Sequence, residues 1–410
     1  MPTTSQIPQR SLLIAYLVAQ LAFGLLAMTI CIPSMQQWGA TFNADQASVQ
    51  LTFSGYVVAY GGLQLLYGPL SDRLGRKRIL LAGLLLAGSA SVLGALAGDL
   101  ATLTMARVLQ GAGAAAGMVV GRAMVQDLFL GPERTRIIAH IGMAMGLCPP
   151  LATIIGGQLH VVLGWQANFV LISLLALGLL IVGWRLLPDM TAKAPAEQHW
   201  LGAMVSSYTR LAREPAFLLY VVILAMTTAT FYAFLGGAPI VLGSYGIGPD
   251  GVGYYIMCIP ASYILGNYLT TRLVQSVGER RMMMVGQSLT IGGLVLMLCL
   301  ALAGIDTSLA LALPLVILGL GHGLLVPPAL AGTISLLPAL AGSAAAVAGL
   351  MQQLMGAAGG YAVGLLTHDG AVNLGWLMLG ISGCGALAQM FLPSPGARQQ
   401  AGQRRPDSRI

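Results

Sequence analysis

Two long apolar segments are joined by the short polar sequence GPLSDRLGRKR, which spans residues 68–78. Gly75 permits a tight turn there, because glycine adopts backbone conformations that other residues avoid. Asp72 at a helix end can interact with a neighbouring helix end or pair with an arginine. A general excess of positive charge on one side of a membrane does not explain Gly68, Asp72 and Gly75 at this spacing. The segment therefore predicts a structured turn between two helices that cross a membrane.

The whole chain has the composition of an integral membrane protein. Of its 410 residues, 57% are hydrophobic and only 8% are charged, and the mean hydropathy is +0.81. Apolar blocks of about 20 residues predict membrane-spanning helices, whereas an outer-membrane barrel would show alternating segments of about ten. This composition excludes a disordered chain, a disulfide scaffold and an ordinary soluble enzyme. All five cysteines lie in apolar blocks and are interpreted as core residues.

Twelve apolar blocks are long enough to cross a membrane. The first block is too long for a cleavable signal peptide, so we expect it to remain as a spanning helix. The predicted fold class is an all-α integral membrane protein with twelve transmembrane helices in two six-helix halves. The blocks lie at residues 11–35, 47–70, 78–98, 100–126, 136–162, 167–187, 215–241, 251–273, 281–303, 308–331, 342–367 and 371–393.

Charge placement predicts the orientation. If the N-terminus is cytoplasmic, the even-numbered connections and both tails hold 18 of the 20 lysines and arginines. The odd-numbered connections hold no basic residue. This asymmetry follows the positive-inside rule, so it predicts a multi-pass protein of the bacterial inner membrane with both termini in the cytoplasm, and it explains the net charge of +7 without a nucleic-acid partner. The odd-numbered connections carry five aspartates, Asp45, Asp99, Asp250, Asp306 and Asp369.

A long polar stretch divides the chain into two parts. It predicts an N-terminal half at 1–187, a cytoplasmic linker at 188–214, a C-terminal half at 215–393 and a basic cytoplasmic tail at 394–410. The halves echo each other, because QSVGERR at 275–281 follows the eighth block as DRLGRKR follows the second. Two six-helix halves related by an internal repeat are typical of secondary transporters, whose site lies between the halves.

Several motifs resemble those of the major facilitator superfamily. Residues 68–78 resemble its loop between helices two and three, which forms a cytoplasmic latch between the halves, and residues 103–113 resemble its helix-four motif. Residues 11–393 resemble the Bcr/CflA drug-resistance branch, through Gln64 before 67–72 and through 121–127 and 164–169. The resemblance implies a proton-coupled exporter with a gating latch at Gly68, Asp72, Arg73, Gly75, Arg76 and Asp127.

Two positions depart from the pattern of that branch. The branch usually carries an aspartate in helix one just before an outer proline, and Thr29 stands at that place. Its helix-five motif normally ends Gly-Pro-x-x-Gly-Gly, whereas residues 152–157 keep only the glycine pair. A proline pair just upstream could supply the kink instead. The predicted helix-five residues are therefore Pro149, Pro150, Gly156 and Gly157.

The chain offers no acid for proton coupling in the middle of the membrane. None of its thirteen Asp and Glu residues falls at the centre of a block, although antiporters often relay protons through buried carboxylates. His322 lies well inside the tenth block and can titrate near neutral pH. Its flanking glycines also fit a packing role, and Asp127 at a helix end is the alternative proton carrier.

Polar and aromatic residues inside the blocks are candidates for a substrate cavity. Arg107 lies about 10 Å deep, where a cation indicates function, although an arginine can also extend to the membrane surface. Aromatic residues can equally pack against lipid. The residues predicted to serve substrate binding or coupling are Gln20, Thr29, Tyr56, Tyr60, Gln64, Arg107, Arg122, Phe231, Tyr232, His322, Gln352 and Gln353, with Asn267 as a further lining candidate.

The predicted function is export of small, largely apolar, drug-like compounds by alternating access, with protons as the coupling ion. The sequence has no Gly-Lys-Ser/Thr phosphate loop and no cysteine–histidine cluster with metal spacing, so we predict neither an enzyme nor a cofactor. We expect a monomer whose partners are substrate, protons and lipid. One alternative is a dedicated exporter of a cell-made product such as a siderophore, which the missing helix-one acid slightly favours. A non-transporting membrane sensor is a remote alternative, disfavoured by the short linker and tails.

Overall fold

All regular elements in the described residues are α-helices. The computed structural model describes residues 6–188, 200–337, 340–367 and 370–393. The predicted tail, residues 189–199 of the linker and Asp369 lie outside these ranges. The first half contains α1 (Gln6–Thr29), α2 (Met35–Phe42), α3 (Gln46–Leu74), α4 (Arg76–Ala95), α5 (Leu100–Leu128), α6 (Gly131–Leu163) and α7 (Gln166–Leu186). The rest contains α8 (Trp200–Ala212), α9 (Pro215–Ser244), α10 (Pro249–Ile256), α11 (Cys258–Val277), α12 (Glu279–Leu302), α13 (Ser308–Ser335), α14 (Ala341–Gly364) and α15 (Val372–Met390).

Each predicted block coincides with a long helix, with α10 and α11 sharing the eighth block. Over the described ranges, nine helices are long and apolar enough to cross a membrane on their own. Helices α3, α11 and α14 are not apolar enough to be counted among these nine. They contact the opposite half and carry polar side chains, which lowers their mean hydropathy. The all-helical membrane class is confirmed, while the count of twelve spans, the division into halves and the cytoplasmic termini stay predictions.

The first block bends where α1 ends and α2 begins. Pro33 has no N–H group for the carbonyl of Thr29, so the regular helical pattern stops there. The N–H of Ile32 donates to the Thr29 carbonyl at 3.1 Å, one residue short of the α-helical spacing. This turn leaves carbonyl groups near the end of α1 without their usual helical partners.

The two halves repeat the same packing scheme. Helix α5 packs against α3 and α4, and helix α13 packs against α11 and α12. Glycine makes this approach possible. A Cβ atom added to Gly113 would lie 2.5 Å from the Gly83 carbonyl oxygen, and one added to Gly321 would lie 2.5 Å from that of Gly286. Small residues let membrane helices approach at backbone distance, and the sequence places them at the helix crossings.

The two ends of the bundle differ in charge. The basic end carries the turn between α3 and α4 and the start of α12, and the acidic end carries Asp45, Asp99, Asp250 and Asp306. Asp45 accepts a hydrogen bond from the Ser48 N–H at 2.6 Å, and Asp99 accepts one from the Thr102 N–H at 2.8 Å. These helix N-caps lower the pKa of both carboxyl groups, because the bonds stabilise the charged form.

Candidate functional site

A cavity of about 280 Å³ lies between the two halves. Helices α1 and α6 line it from one side, and α9, α11, α13 and α14 line it from the other. Its wall is mostly apolar, with Leu25, Met145 and Leu235 among the lining side chains, and no Asp or Glu among the described residues contributes to it. Such a cavity with a few polar groups is the usual form of a small-molecule site. The polar lining residues are Thr29, Thr227, Thr228, Tyr232, Tyr263, His322, Gln352 and Gln353.

One side of this central cavity is organised around Tyr232. Its hydroxyl donates to Oε1 of Gln353 at 3.1 Å and lies 3.8 Å from the sulfur of Met28 on the opposite half. The ring packs edge-on against Phe53, with centroids 5.6 Å apart, and lies directly against Gly356. Tyr232 therefore connects the two halves at the cavity wall.

His322 lines the same cavity from α13. Its side chain is 4% exposed, and Nε2 has no hydrogen-bond partner in the part of the chain that the structure describes. The neighbouring residues Gly321 and Gly323 pack against α12 and α11, which fixes the helix and leaves the imidazole directed away from those contacts. Among the described residues, no group of three or more His, Cys, Asp or Glu side chains is placed to hold a metal ion.

The predicted cavity residues divide into three groups. Thr29, Phe231, Tyr232, His322, Gln352 and Gln353 line the central cavity, together with Pro149. Gln64 and Arg122 line a second cavity at the basic end. Gln20, Tyr56, Tyr60 and Arg107 are buried within the first half and line neither cavity, and Asn267 also lines neither.

Arg107 is buried rather than extended to the membrane surface. It is 1% exposed, and its guanidinium donates to the carbonyls of Ala27 at 2.7 Å and Met28 at 3.0 Å. It also donates to Gln110 and lies 4.3 Å from the ring centroid of Tyr56. A cation at the C-terminal end of a helix satisfies free carbonyls and opposes the negative end of the helix dipole. Arg107 therefore holds the end of α1 where Pro33 interrupts the helix.

The second cavity forms a vestibule of about 880 Å³ at the basic end, between α3 and α5 of the first half, α14 of the second half and α8 of the linker. It adjoins the central cavity where α3 meets α14. Gly61 lines the vestibule and Gln353 lines the central cavity, and a Cβ added to Gly61 would lie 2.5 Å from the Cβ of Gln353. This contact separates the two spaces.

Most of the predicted latch residues line the vestibule, whereas Gly75 and Asp127 do not. Arg76 pairs with Asp72 at 2.7 Å and with Asp127 at 3.2 Å, so it joins α3, α4 and α5. Gly75 has φ of 96°, a value that favours glycine, which explains the turn. Gly68 and Arg73 also line the vestibule. These two ion pairs lie within one half, and the predicted role of the latch between the halves remains a prediction.

The halves touch each other near the acidic end. Gln50 donates to the Gly236 carbonyl at 2.9 Å, and Ser54 donates to the Ala357 carbonyl at 2.8 Å. The predicted helix-five glycines belong to this contact region. A Cβ on Gly157 would lie 2.2 Å from the Pro249 carbonyl oxygen of the other half, while one on Gly156 would meet the Ile30 carbonyl oxygen, in the turn that follows α1 of the same half, even more closely. Pro150 is buried within α6.

Sequence reasoning missed a buried polar network near the acidic end. The ring nitrogens of His160 lie 2.9 Å from Oγ of Ser34 and 3.0 Å from Oε1 of Gln37, and Asn168 donates to the same serine at 3.1 Å. The network ties the turn after α1 to α6 and α7. Burying a histidine or an amide without hydrogen-bond partners costs free energy. His160 and Asn168 inside apolar blocks could therefore have been identified as members of a polar network.

Comparison with known proteins assigns the chain to a family. The description "Major Facilitator Superfamily" matches residues 12–360. The chain belongs to this superfamily. It is therefore a multi-pass membrane transporter, and the family prediction is confirmed.

Its relatives also confirm the resemblance to the Bcr/CflA branch. The chain is 28% identical to Multidrug resistance protein D of Escherichia coli, over 89% of this chain and 92% of the relative. It is 26% identical to a Chloramphenicol resistance protein of Pseudomonas aeruginosa, over 87% and 86% of the two chains. A Bicyclomycin resistance protein homolog of Haemophilus influenzae is also 26% identical, over 88% and 91%.

Solved structures agree on the fold. A peptide transporter, POT, superimposes with a TM-score of 0.75 at 16% identity, covering 94% of both chains. A nucleoside transporter, NupG, gives 0.72 at 15% identity, covering 93% of this chain and 98% of the other. At these identities the likeness concerns the fold alone.

Proposed function

We propose that this transporter exports small, largely apolar compounds across the bacterial inner membrane by alternating access, with protons entering in exchange. The positive-inside rule supports a cytoplasmic position for the basic end. The vestibule then opens toward the cytoplasm, and the contacts at the acidic end close the path to the other side. Substrate would enter the state described here from the cytoplasm.

The observation that carries this proposal is the apolar cavity shared by both halves. A site between two halves can change its exposure when one half rocks against the other, without being rebuilt. The relatives whose names refer to multidrug, chloramphenicol and bicyclomycin resistance support a drug-like substrate class.

The charge of the cavity favours neutral substrates over cations. No Asp or Glu lines it, and Thr29 at the end of α1 donates its hydroxyl to the Leu25 carbonyl at 2.9 Å. A cationic substrate would therefore lose water without gaining a counter-charge. The same observation keeps a dedicated exporter of one neutral metabolite as the second candidate.

His322 is the group that we propose carries the coupling proton. It is the one histidine on the central cavity wall, and Nε2 lacks a partner among the described residues. Arg122 lines the vestibule instead, so it does not share the central cavity with the imidazole. Asp127, paired with Arg76 at the basic end, is the alternative carrier, and it would join coupling to gating.

The test is uptake by inverted membrane vesicles, in which export becomes accumulation inside. Labelled chloramphenicol should accumulate when the vesicle interior is acidified, and accumulation should collapse when an ionophore removes the pH gradient. A lipophilic cation of similar size should accumulate less. Equal uptake with and without the gradient would contradict proton coupling. Preference for the cation would contradict the inferred substrate class.

A further inference from the structure

A third cavity lies away from the transport path, on the outer side of the C-terminal half. It has a volume of about 470 Å³ and lies at the basic end, between the start of α9, the start of α12 and the end of α15. Arg280 and Arg281 line one side. Met284 and Leu392 give it apolar walls, and Met284 is 46% exposed on the outer surface of the bundle.

Gln389 lines this pocket, and other described residues do not satisfy its side-chain amide. Its side chain is 7% exposed, and neither Nε2 nor Oε1 has a hydrogen-bond partner among the described residues. A buried amide with both polar atoms unsatisfied is unfavourable, so a ligand that forms hydrogen bonds with it relieves that cost.

The start of α12 adds a second attraction for an anion. Gly278 precedes the helix with φ of 86° and provides no side-chain cap, and both Gly278 and Glu279 border the pocket. The first N–H groups of a helix lack partners inside the helix and carry partial positive charge, so an uncapped start favours an anion.

The N-terminal half repeats this arrangement. A pocket of about 590 Å³ lies at the basic end between the start of α4 and the end of α7. Its basic residues are Lys77 and Arg78, and Leu180 and Trp184 form apolar walls. Helix α4 also begins after a glycine with positive φ and without a side-chain cap. Helices α4 and α7 correspond to α12 and α15 in the repeated packing of the halves, so the same kind of pocket occurs twice.

We propose that these two pockets bind anionic phospholipids, with the phosphate between the paired basic residues and the acyl chains along the apolar walls. A lipid headgroup and a free phosphate ion both carry the phosphate group that these pockets would bind. The lipid is favoured because Met284 and Trp184 are exposed on the side that faces lipid, at 46% and 70%. Basic pockets between membrane helices at the cytoplasmic level are suited to such headgroups. This site lies outside the substrate path and does not depend on the proposed function.

Native mass spectrometry of the full-length protein in detergent tests the proposal. After lipid removal, the protein is titrated separately with phosphatidylglycerol and with phosphatidylcholine of the same chains. We expect two phosphatidylglycerol molecules to be retained preferentially. The Arg280→Gln/Arg281→Gln variant should bind the C-terminal-half lipid about 25-fold more weakly, since each arginine near a membrane surface contributes roughly fivefold. Arg272→Gln, an exposed arginine of α11 that stacks on Tyr268, is the matched control for charge loss.

Two further variants keep the test decisive if the double variant does not fold. Gln389→Leu keeps size and should weaken phosphatidylglycerol binding, whereas Glu279→Gln removes a carboxylate from the pocket rim and should strengthen it. Equal retention of the two lipids by the wild type would overturn the proposal. So would equal losses in Arg280→Gln/Arg281→Gln and Arg272→Gln. Displacement of phosphatidylglycerol by millimolar inorganic phosphate would assign the pocket to a soluble anion instead of a lipid.

Discussion

The hydroxyl of Tyr232 donates a 3.1 Å hydrogen bond to Oε1 of Gln353, and the Cβ of that glutamine lies against the backbone of Gly61 in the opposite half. The bond therefore holds in place the side chain that separates the central cavity from the vestibule. In the proposed transport cycle, substrate that enters from the vestibule passes this point. We therefore propose that Tyr232 and Gln353 contact substrate.

Replacing Tyr232 with phenylalanine should weaken substrate binding. Tyr232→Phe keeps the ring contact with Phe53 but removes the bond that holds Gln353. One hydrogen bond contributes about 1 kcal/mol, so we expect KM for export to rise roughly fivefold with a small change in the maximal rate. Transport assays over a range of concentrations measure this. Tyr268→Phe, on the exposed side of α11, is the control, and an unchanged KM in Tyr232→Phe would remove the residue from the site.

A single methyl group at Gly157 should open the acidic end. Gly157→Ala places a Cβ 2.2 Å from the Pro249 carbonyl oxygen, so the halves must separate there. Gly142→Ala in the same helix meets no atom within 4 Å and is the matched control. Closure can be measured as the yield of cross-linking, by a short bifunctional thiol reagent, between cysteines at Gln36 and Ile247, with the native cysteines replaced, because the Gln36 side chain donates to the Ile247 carbonyl at 3.3 Å across the halves. The yield should fall for Gly157→Ala only. Equal yields in the two variants would contradict closure of the path by the contacts at the acidic end.

Removing the guanidinium of Arg107 should damage both stability and transport. Arg107→Ala leaves the carbonyls of Ala27 and Met28 unsatisfied, which we expect to cost roughly 2–5 kcal/mol in the free energy of unfolding. Arg107→Lys should recover little, because an ammonium group lacks the planar fork that reaches both carbonyls. Melting temperature in detergent and export measure the two effects. Arg272→Ala is the exposed control, and a normal melting temperature with full export in Arg107→Ala would show that α1 needs no such support.

The latch should affect transport much more than stability. Asp72→Asn removes one ion pair of Arg76, and because Asp72 is 48% exposed, we expect a change of only about 0.2–1 kcal/mol in unfolding free energy. Export should nevertheless fall, since the charge borders the vestibule that must close during the cycle. Glu133→Gln breaks the surface pair with Arg10 at the same end and should leave export intact. Wild-type export rates in Asp72→Asn would count against the latch.

The helices could be predicted from the sequence because the features that specify them are local. Long apolar blocks, basic connections and the turn at Gly75 determine where chains cross a membrane, and each can be identified without knowledge of neighbours. Six of the twelve substrate or coupling candidates line the central cavity. Thr29 and His322 are among them, because a polar residue inside an apolar block is costly unless it faces a cavity or a partner.

The roles of the remaining candidate residues depend on which helices pack against each other. Arg107 was expected near the substrate, but its side chain is used to hold the interrupted end of α1, and only the positions of two helices reveal this. Tyr56 likewise donates its hydroxyl to the Gly24 carbonyl at 2.6 Å instead of lining the cavity. His160 was overlooked because its partners come from the turn after α1, far away in the sequence.

We propose that the transporter moves substrate against a gradient through the cavity between the halves. His322 gains and loses the proton that drives this movement. The most direct measurement is accumulation in inverted vesicles by wild type and His322→Gln, with and without a pH gradient, beside downhill exchange in the same vesicles. Glutamine retains hydrogen-bonding capacity but does not titrate in this range. We expect His322→Gln to lose accumulation and to keep downhill exchange. Accumulation equal to wild type with unchanged pH dependence would contradict it and transfer the coupling role to Asp127.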